Sequence, residues 1–204
     1  MDARPRSPGH INIEIVFNEF VPTFRNGQLI RDVMTKPSRM PRNADNLFAV
    51  DGVIAELKCL EKNPMEASDW RPRLASAFRA TGHSFNDIEG CLIRGEPMPN
   101  AVKAKLFHWL REAIRSVVKT GNRQIRMSKQ VLREEKGKGV LLVANDNNYG
   151  FGPETMSDVI SDAVARLDDG HIDAVVYFTP NVFHRIPGSD VAWIIWEPSY
   201  RDDD

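Results

Sequence analysis

The stretch DNLFAVDGVIAELK, residues 45–58, holds two apolar runs on either side of Asp51-Gly52. Asp-Gly between such runs signals a β-hairpin, because both central positions of a tight two-residue turn need positive φ. That turn sets Val50 opposite Val53, Leu47 opposite Glu56 and Asp45 opposite Lys58. Directly opposed residues point to the same face, as do residues two apart on one strand. Asp45, Glu56 and Lys58 are therefore expected on one face. Phe48, Val50, Val53, Ala55, Leu57 and Cys59 form the other, an apolar set suited to a core. A slip of one residue would bury the charges, so the alternation pins the register. Asp45 and Glu56 become diagonal neighbours with Cβ atoms roughly 7 Å apart, near enough to share one divalent cation. Asp51 stays in the turn, roughly 16 Å from Glu56 at strand rise.

The chain around this hairpin reads as α/β. INIEIVF (11–17) alternates like a strand but could also begin a helix. RNGQLIRDVMTKPSRMPRN suggests a turn, a short helix or coil, and a proline-marked loop. After Lys62 the character turns helical. SDWRPRLASAFRATG is a candidate helix from a Ser68 cap to Gly82, with a shorter candidate in SFNDIEGCLIRG. The longest helical stretch runs from Pro99 to about Glu135, and Thr120-Gly121-Asn122 is expected to break or kink it. GVLLVAND (139–146) is nearly continuously apolar, as a strand buried on both faces would be. An amphipathic helix and the apolar run HIDAVVYFT follow, so parallel pairing through a right-handed crossover is expected. VAWIIWEP supplies a candidate edge strand.

Asp45, a β-hairpin, then Glu56-Leu57-Lys58 resembles the signature of the PD-(D/E)XK nuclease superfamily. Ala44 stands where that pattern has proline. The downstream order is similar to the family's αβββαβ core, with a mixed central sheet. The resemblance covers about 40–60 and, more loosely, 120–180. Residues 63–119 then read as a helical insertion in a single nuclease-like domain, 1–204. The resemblance implies a restriction-endonuclease-like fold and metal-dependent phosphodiester hydrolysis. Asp45, Glu56 and the carbonyl of Leu57 would ligate Mg²⁺ or Mn²⁺, and Lys58 would orient the attacking water or offset charge on the phosphate. A further acidic ligand on the first helix is implied; Glu19 is the candidate and Glu14 the alternative. Gln124 is preferred over Lys129 and Gln130 as the polar residue facing the site from the helix after the motif. DNA is the implied substrate, with RNA not excluded, and a homodimer would suit cutting of both strands. The alternative is a non-catalytic nucleic-acid-binding or assembly subunit that keeps the fold.

Composition sets the bounds. The 204 residues carry a net charge of −1, divided unevenly. Lys103 to Lys138 holds eleven Lys/Arg against three Glu, and Glu154 to Asp204 holds eleven Asp/Glu against three Arg. The basic stretch includes Arg115, Lys119, Arg123, Arg126 and Lys129, several of them three or four apart, a candidate stripe for nucleic-acid phosphates. Two cysteines without a CxxC pair fit a reducing compartment and argue against a disulfide scaffold. With no apolar run of membrane-spanning length and no apolar signal core, a cytoplasmic protein without membrane partners is expected.

Overall fold

The structure is a computed structural model that describes residues 10–34, 43–61, 70–84, 86–87, 90–91, 97–146, 152–182, 184–185 and 192–200. The candidate helix over 84–95 falls largely outside the described residues, as do the 35–42 loop and the 201–204 tail. The elements are α1 (Ile13–Phe20), β1 (Gln28–Leu29), α2 (Ile30–Val33), β2 (Asn46–Phe48), β3 (Val53–Leu60), α3 (Trp70–Ala80) and α4 (Asn100–Leu132). They continue with β4 (Lys138–Asn145), α5 (Pro153–Ala165), β5 (Ala174–Phe178), β6 (His184–Arg185), β7 (Ala192–Trp193) and β8 (Trp196–Tyr200). Among the described residues six strands make one mixed sheet in the order β1-β2-β3-β4-β5-β8. β3, β4 and β5 are parallel, and the other pairings are antiparallel. The fold class is thus α/β, as expected. The edge strand β8 carries Pro198, which an edge tolerates because one side of its backbone has no ladder to feed.

The hairpin forms in a different register from the tight-turn expectation. Phe48 pairs with Val53, Leu47 with Ile54 and Asn46 with Ala55. The connection is four residues, Ala49 to Gly52, closed by Asp51 N–H to Phe48 C=O at 3.1 Å and Gly52 N–H to Ala49 C=O at 3.3 Å. Gly52 alone of that loop has positive φ, 63°. Asp51 is held in this loop by Arg25, whose guanidinium grips both carboxylate oxygens, with Nε to Oδ2 at 2.7 Å. The shift of two residues preserves the parity of the faces, since side chains alternate with period two. Asp45 now extends toward Glu56 instead of Lys58.

The expected division into a core face and a wet face does not hold. β3 runs parallel to β4 over eight residues and both of its faces are covered. Ile54, Glu56 and Lys58 lie on the face that also carries Leu141, Val143, Val175 and Tyr177, under α4 and α5. That is the main core. Leu57 and Cys59 face the other way and pack with Ala144, Ile13 and Phe17 of α1. The charged residues therefore enter the larger core. Register is held by the apolar neighbours on both faces, not by keeping charge in water.

INIEIVF resolves as helix. Asn12 caps it, its side chain accepting from Ile15 N–H at 3.0 Å, and Ile13 and Phe17 fall on the sheet-facing side. α4 runs unbroken for 33 residues, about 50 Å at helical rise. Gly121 does not interrupt it, and a Cβ there would lie 2.6 Å from Leu141 Cδ1. The glycine serves close approach of helix and sheet, a packing role that sequence spacing does not distinguish from a break. α4's N-terminal part (Val102, Leu106) forms a satellite cluster with Leu74 and Phe78 of α3, while Leu110, Ile114, Val118 and Ile125 join the main core. The helical segment and the sheet are joined by one continuous helix.

Candidate active site

The site sits where β2 begins, beside the middle of β3. Asp45 precedes β2 and is exposed. Its Oδ2 accepts the N–H of Leu57 at 3.0 Å, and its backbone C=O accepts Ile30 N–H at 2.9 Å, so it is fixed from two sides. Glu56 is 1 % exposed. One of its oxygens, Oε1, accepts from Lys58 Nζ; the other, Oε2, is buried and accepts nothing. Burial, followed by the charge of Asp45, pushes the Glu56 carboxyl up from 4.5 to about 8, against the opposing pull of Lys58. A hydrogen-bonding contact with Asp45 raises it further. Two carboxyls this close favour a cation or a proton between them, since like charges in a poorly hydrated site cannot both stay bare.

Lys58 bridges to the helix above. Its Nζ donates to Gln124 Oε1 at 2.8 Å as well as to Glu56. Gln124, 6 % exposed, donates from Nε2 to the C=O of Asn43 at 3.0 Å, which fixes the amide's orientation. Asp45, Glu56, Leu57, Lys58 and Gln124 thus converge across β2, β3 and α4. Lys129 and Gln130, the other two positions considered on this helix, have no contact with Lys58 among the described interactions. Lys129 is buried elsewhere, 3.4 Å from Asp173.

Around this centre the acidic residue of the first helix is Glu14. It borders two cavities: one of about 310 Å³ shared with Asp45, Asn46 and Leu57, and one of about 500 Å³ shared with His10, Cys59, Glu61 and Asp146. Glu19 is exposed and borders neither. Helical phase decides this: Glu14 lies one residue from core-facing Ile13, and Asn18, one turn after Glu14, lines the same cavity. Among the described residues no group of three or more His, Cys, Asp or Glu side chains is disposed to hold a metal. Asp45 and Glu56 are two such groups. The donor set that the resemblance implies is completed by a backbone carbonyl, and its hard oxygens suit Mg²⁺. The buried Glu56 Oε2 without a donor fits a cation as its missing partner.

The basic stripe on α4 is reduced. Arg115, Lys119 and Arg123 are exposed. Arg126 pairs with Asp169 at 3.1 Å, and Lys129 leaves the surface for its pair with Asp173. Sequence spacing could not make this division, because the acidic partners come from the loop before β5. Asp146, from the asparagine-rich stretch after β4, contacts Asn181 and lies 3.6 Å from His10, while Asn147 and Asn148 are outside the described residues. Burial, then the charges of Glu14 and Asp146, push the Cys59 thiol up to about 12, which disfavours the thiolate. The residue that the sequence reading passed over is Asn46, fully buried, with neither side-chain amide atom hydrogen-bonded. Its only signal was a polar residue at an inward position beside Asp45.

No family model, no curated protein and no solved structure matches the chain.

Proposed function

We propose that this protein is a metal-dependent nuclease of PD-(D/E)XK type that hydrolyses DNA phosphodiester bonds. The observation that carries the reading is the convergence of Asp45, Glu56 and Lys58 with a buried Glu56 oxygen left without a donor. With the four-residue α2 and the inserted α3 set aside, the elements α1, β1, β2, β3, α4 and β4 follow an αβββαβ order, which supports the restriction-endonuclease-like resemblance. Asp45, Glu56 and the Leu57 carbonyl would hold Mg²⁺, which supplies Lewis acidity toward the phosphate and an acidified water.

The chain's own residues have separable tasks. Lys58 has three N–H donors, of which Glu56 Oε1 and Gln124 Oε1 take two. The third is left to a phosphate or water oxygen. Gln124 is a positioning residue, since its amide, anchored on Asn43, holds the ammonium in place. Preorganised charge of this kind is worth more in a water-poor site than in solvent, because nothing has to reorient as charge develops. Arg115, Lys119 and Arg123 offer exposed cations for the phosphate backbone.

Incubation of the purified protein with single- and double-stranded DNA and RNA, in Mg²⁺ or Mn²⁺, tests the proposal. Cleavage that disappears in Glu56→Ala and Lys58→Ala supports it. Absence of cleavage throughout, or equal cleavage by the variants, overturns it. The tight Lys58–Glu56 contact also suits a second reading, a nucleic-acid-binding subunit in which that pair only holds the fold. Salt-sensitive DNA binding that survives EDTA and Glu56→Ala, without turnover, would favour the second reading.

A further inference from the structure

One face of the sheet is left partly bare. α4 and α5 cover the side that carries Glu56 and Lys58. On the other side α1 packs through Ile13 and Phe17 against Leu57, Cys59 and Ala144, near the ends of β3 and β4. Toward the far edge, β5 and β8 set Ala174 opposite Tyr200, Val176 opposite Pro198 and Phe178 opposite Trp196, and directly opposed residues share a face. Phe178 belongs to the α1-side cluster, and its ring lies 5.7 Å from that of Trp196, which fixes the face these six residues occupy. All six are apolar, and Val140 and Leu142 of β4 continue their rows. Trp196 is 64 % exposed and Tyr200 77 %. At roughly 150–250 Å² per aromatic side chain, the two leave about 200–350 Å² in water. Ile194, Pro198 and the half-buried side chains of β4 and β5 bring the open apolar area to the order of 500 Å², a size at which a surface patch is often an interaction site.

We propose that this face is a homodimer interface, packed sheet on sheet against the same face of a second copy of the chain. An interface of standard size removes about 800 Å² from each partner, of which roughly 60 % is apolar. The open area here is about that share. The face is also self-complementary. Trp196 and Tyr200 stand as a ridge on β8, and the half-buried Val140, Leu142 and Val176 make a lower floor on β4 and β5. A two-fold axis running along the strands over β5 lays each ridge on the other copy's floor. Strand addition at the free edge of β8 is disfavoured by Pro198, which has no N–H to offer. Nucleic acid fits this face poorly. No Lys or Arg stands among these positions, and Glu61 and Asp146 border the cavity at the neighbouring strand ends. Lys138, at the start of β4, is engaged by Asp173. None of these residues belongs to the catalytic cluster, so the proposal stands or falls apart from the nuclease reading.

Sedimentation equilibrium of the full chain over a dilution series is the test. The wild type is expected to form a reversible dimer of twice the 23.1 kDa of one chain. Trp196→Glu and Tyr200→Glu should each weaken that dimer about a hundredfold or more, since aromatic anchors dominate interface energies and the symmetry counts each substitution twice. Both side chains are exposed in the single chain, so the circular dichroism of the variants should match the wild type. Should Trp196→Glu misfold through loss of its contact with Phe178, the more exposed Tyr200→Glu decides. A wild type that keeps the mass of one chain at every concentration overturns the proposal. So does a dimer that persists in a folded variant, because its interface then lies elsewhere. Titration with single-stranded DNA in EDTA examines the other occupant. A monomeric wild type whose DNA affinity collapses in Tyr200→Glu would make the ridge a base-stacking platform and sink the dimer.

Discussion

Two lysine–carboxylate pairs lie under the same helix, and they are built in opposite ways. At Asp173 the carboxylate is fully supplied: Gly139 N–H donates at 2.6 Å, Lys138 lies at 3.2 Å and Lys129 at 3.4 Å. Burial would raise this carboxyl, but those donors outweigh it and hold it below its ordinary 3.8. At Glu56 the lysine is present too, yet burial and Asp45 prevail and the carboxyl rises to about 8. The first pair is complete in itself and ties α4 to the start of β4 and β5. The second is incomplete, with a second carboxylate crowded against it and a buried oxygen unanswered. Perturbation by burial plus a like charge marks a candidate functional site; a carboxylate satisfied by its own donors marks structure.

Matched substitutions should separate the two. Glu56→Gln is expected to lower cleavage by a hundredfold or more while leaving Tm unchanged or raised, because it removes one of two like charges from a buried site. Turnover assays with thermal melts check both halves, and a variant that cuts normally but melts early would invert the comparison. Asp173→Asn should do the converse. It strands a nearly buried Lys129 and weakens the Gly139 contact, costing about 3 kcal/mol of stability with little change in turnover of the folded fraction. Denaturant titration measures the loss.

The pH dependences should also have opposite sign. Glu56, raised, contributes stability that is present below about 4.5 and lost as pH climbs to about 8. Asp173, lowered, contributes stability that is present above 3.8 and lost as pH falls below it. Without divalent cation, Tm is expected to fall between pH 5 and 8, and Glu56→Gln should flatten that slope, whereas Asp173→Asn should not. A flat wild-type profile would remove the distinction. The smallest effect concerns the surface. Neutralising Arg115, Lys119 or Arg123 should lower the salt slope of DNA binding by about one phosphate each, with Tm nearly constant. The same change at Lys129 should alter Tm instead.

Much of the α/β organisation was legible in order and pattern. The run that became β4 read as a strand because both of its faces are apolar, β3 read from its alternation beside Asp51-Gly52, and the helix between β4 and β5 dictated their parallel pairing. Parity of the hairpin faces survived a wrong turn length, since a two-residue shift leaves every side chain on its face. The turn itself was misread because Ala49 and Val50 belong to the loop and not to β2, which the Asp51-Gly52 signal does not reveal. Gly121 was misread as a break because its reason is Leu141 on another element. At the candidate site, Asp45, Glu56 and Lys58 could be grouped by alternation alone. The choice of Glu14 over Glu19, and the burial of Asn46, needed the helix phase and the packing of α1 against the sheet.

The sequence by itself determined which residues alternate, where chain direction must reverse, and that three charged groups share one side of a hairpin. These are local consequences of backbone period and turn chemistry. Only the tertiary structure decided that this side is the inside. α4 lies over β3, removes Glu56 from water, and brings Gln124 onto Lys58. Burial and partners contributed from sixty or more residues away set what a carboxylate can do, and no local pattern contains them.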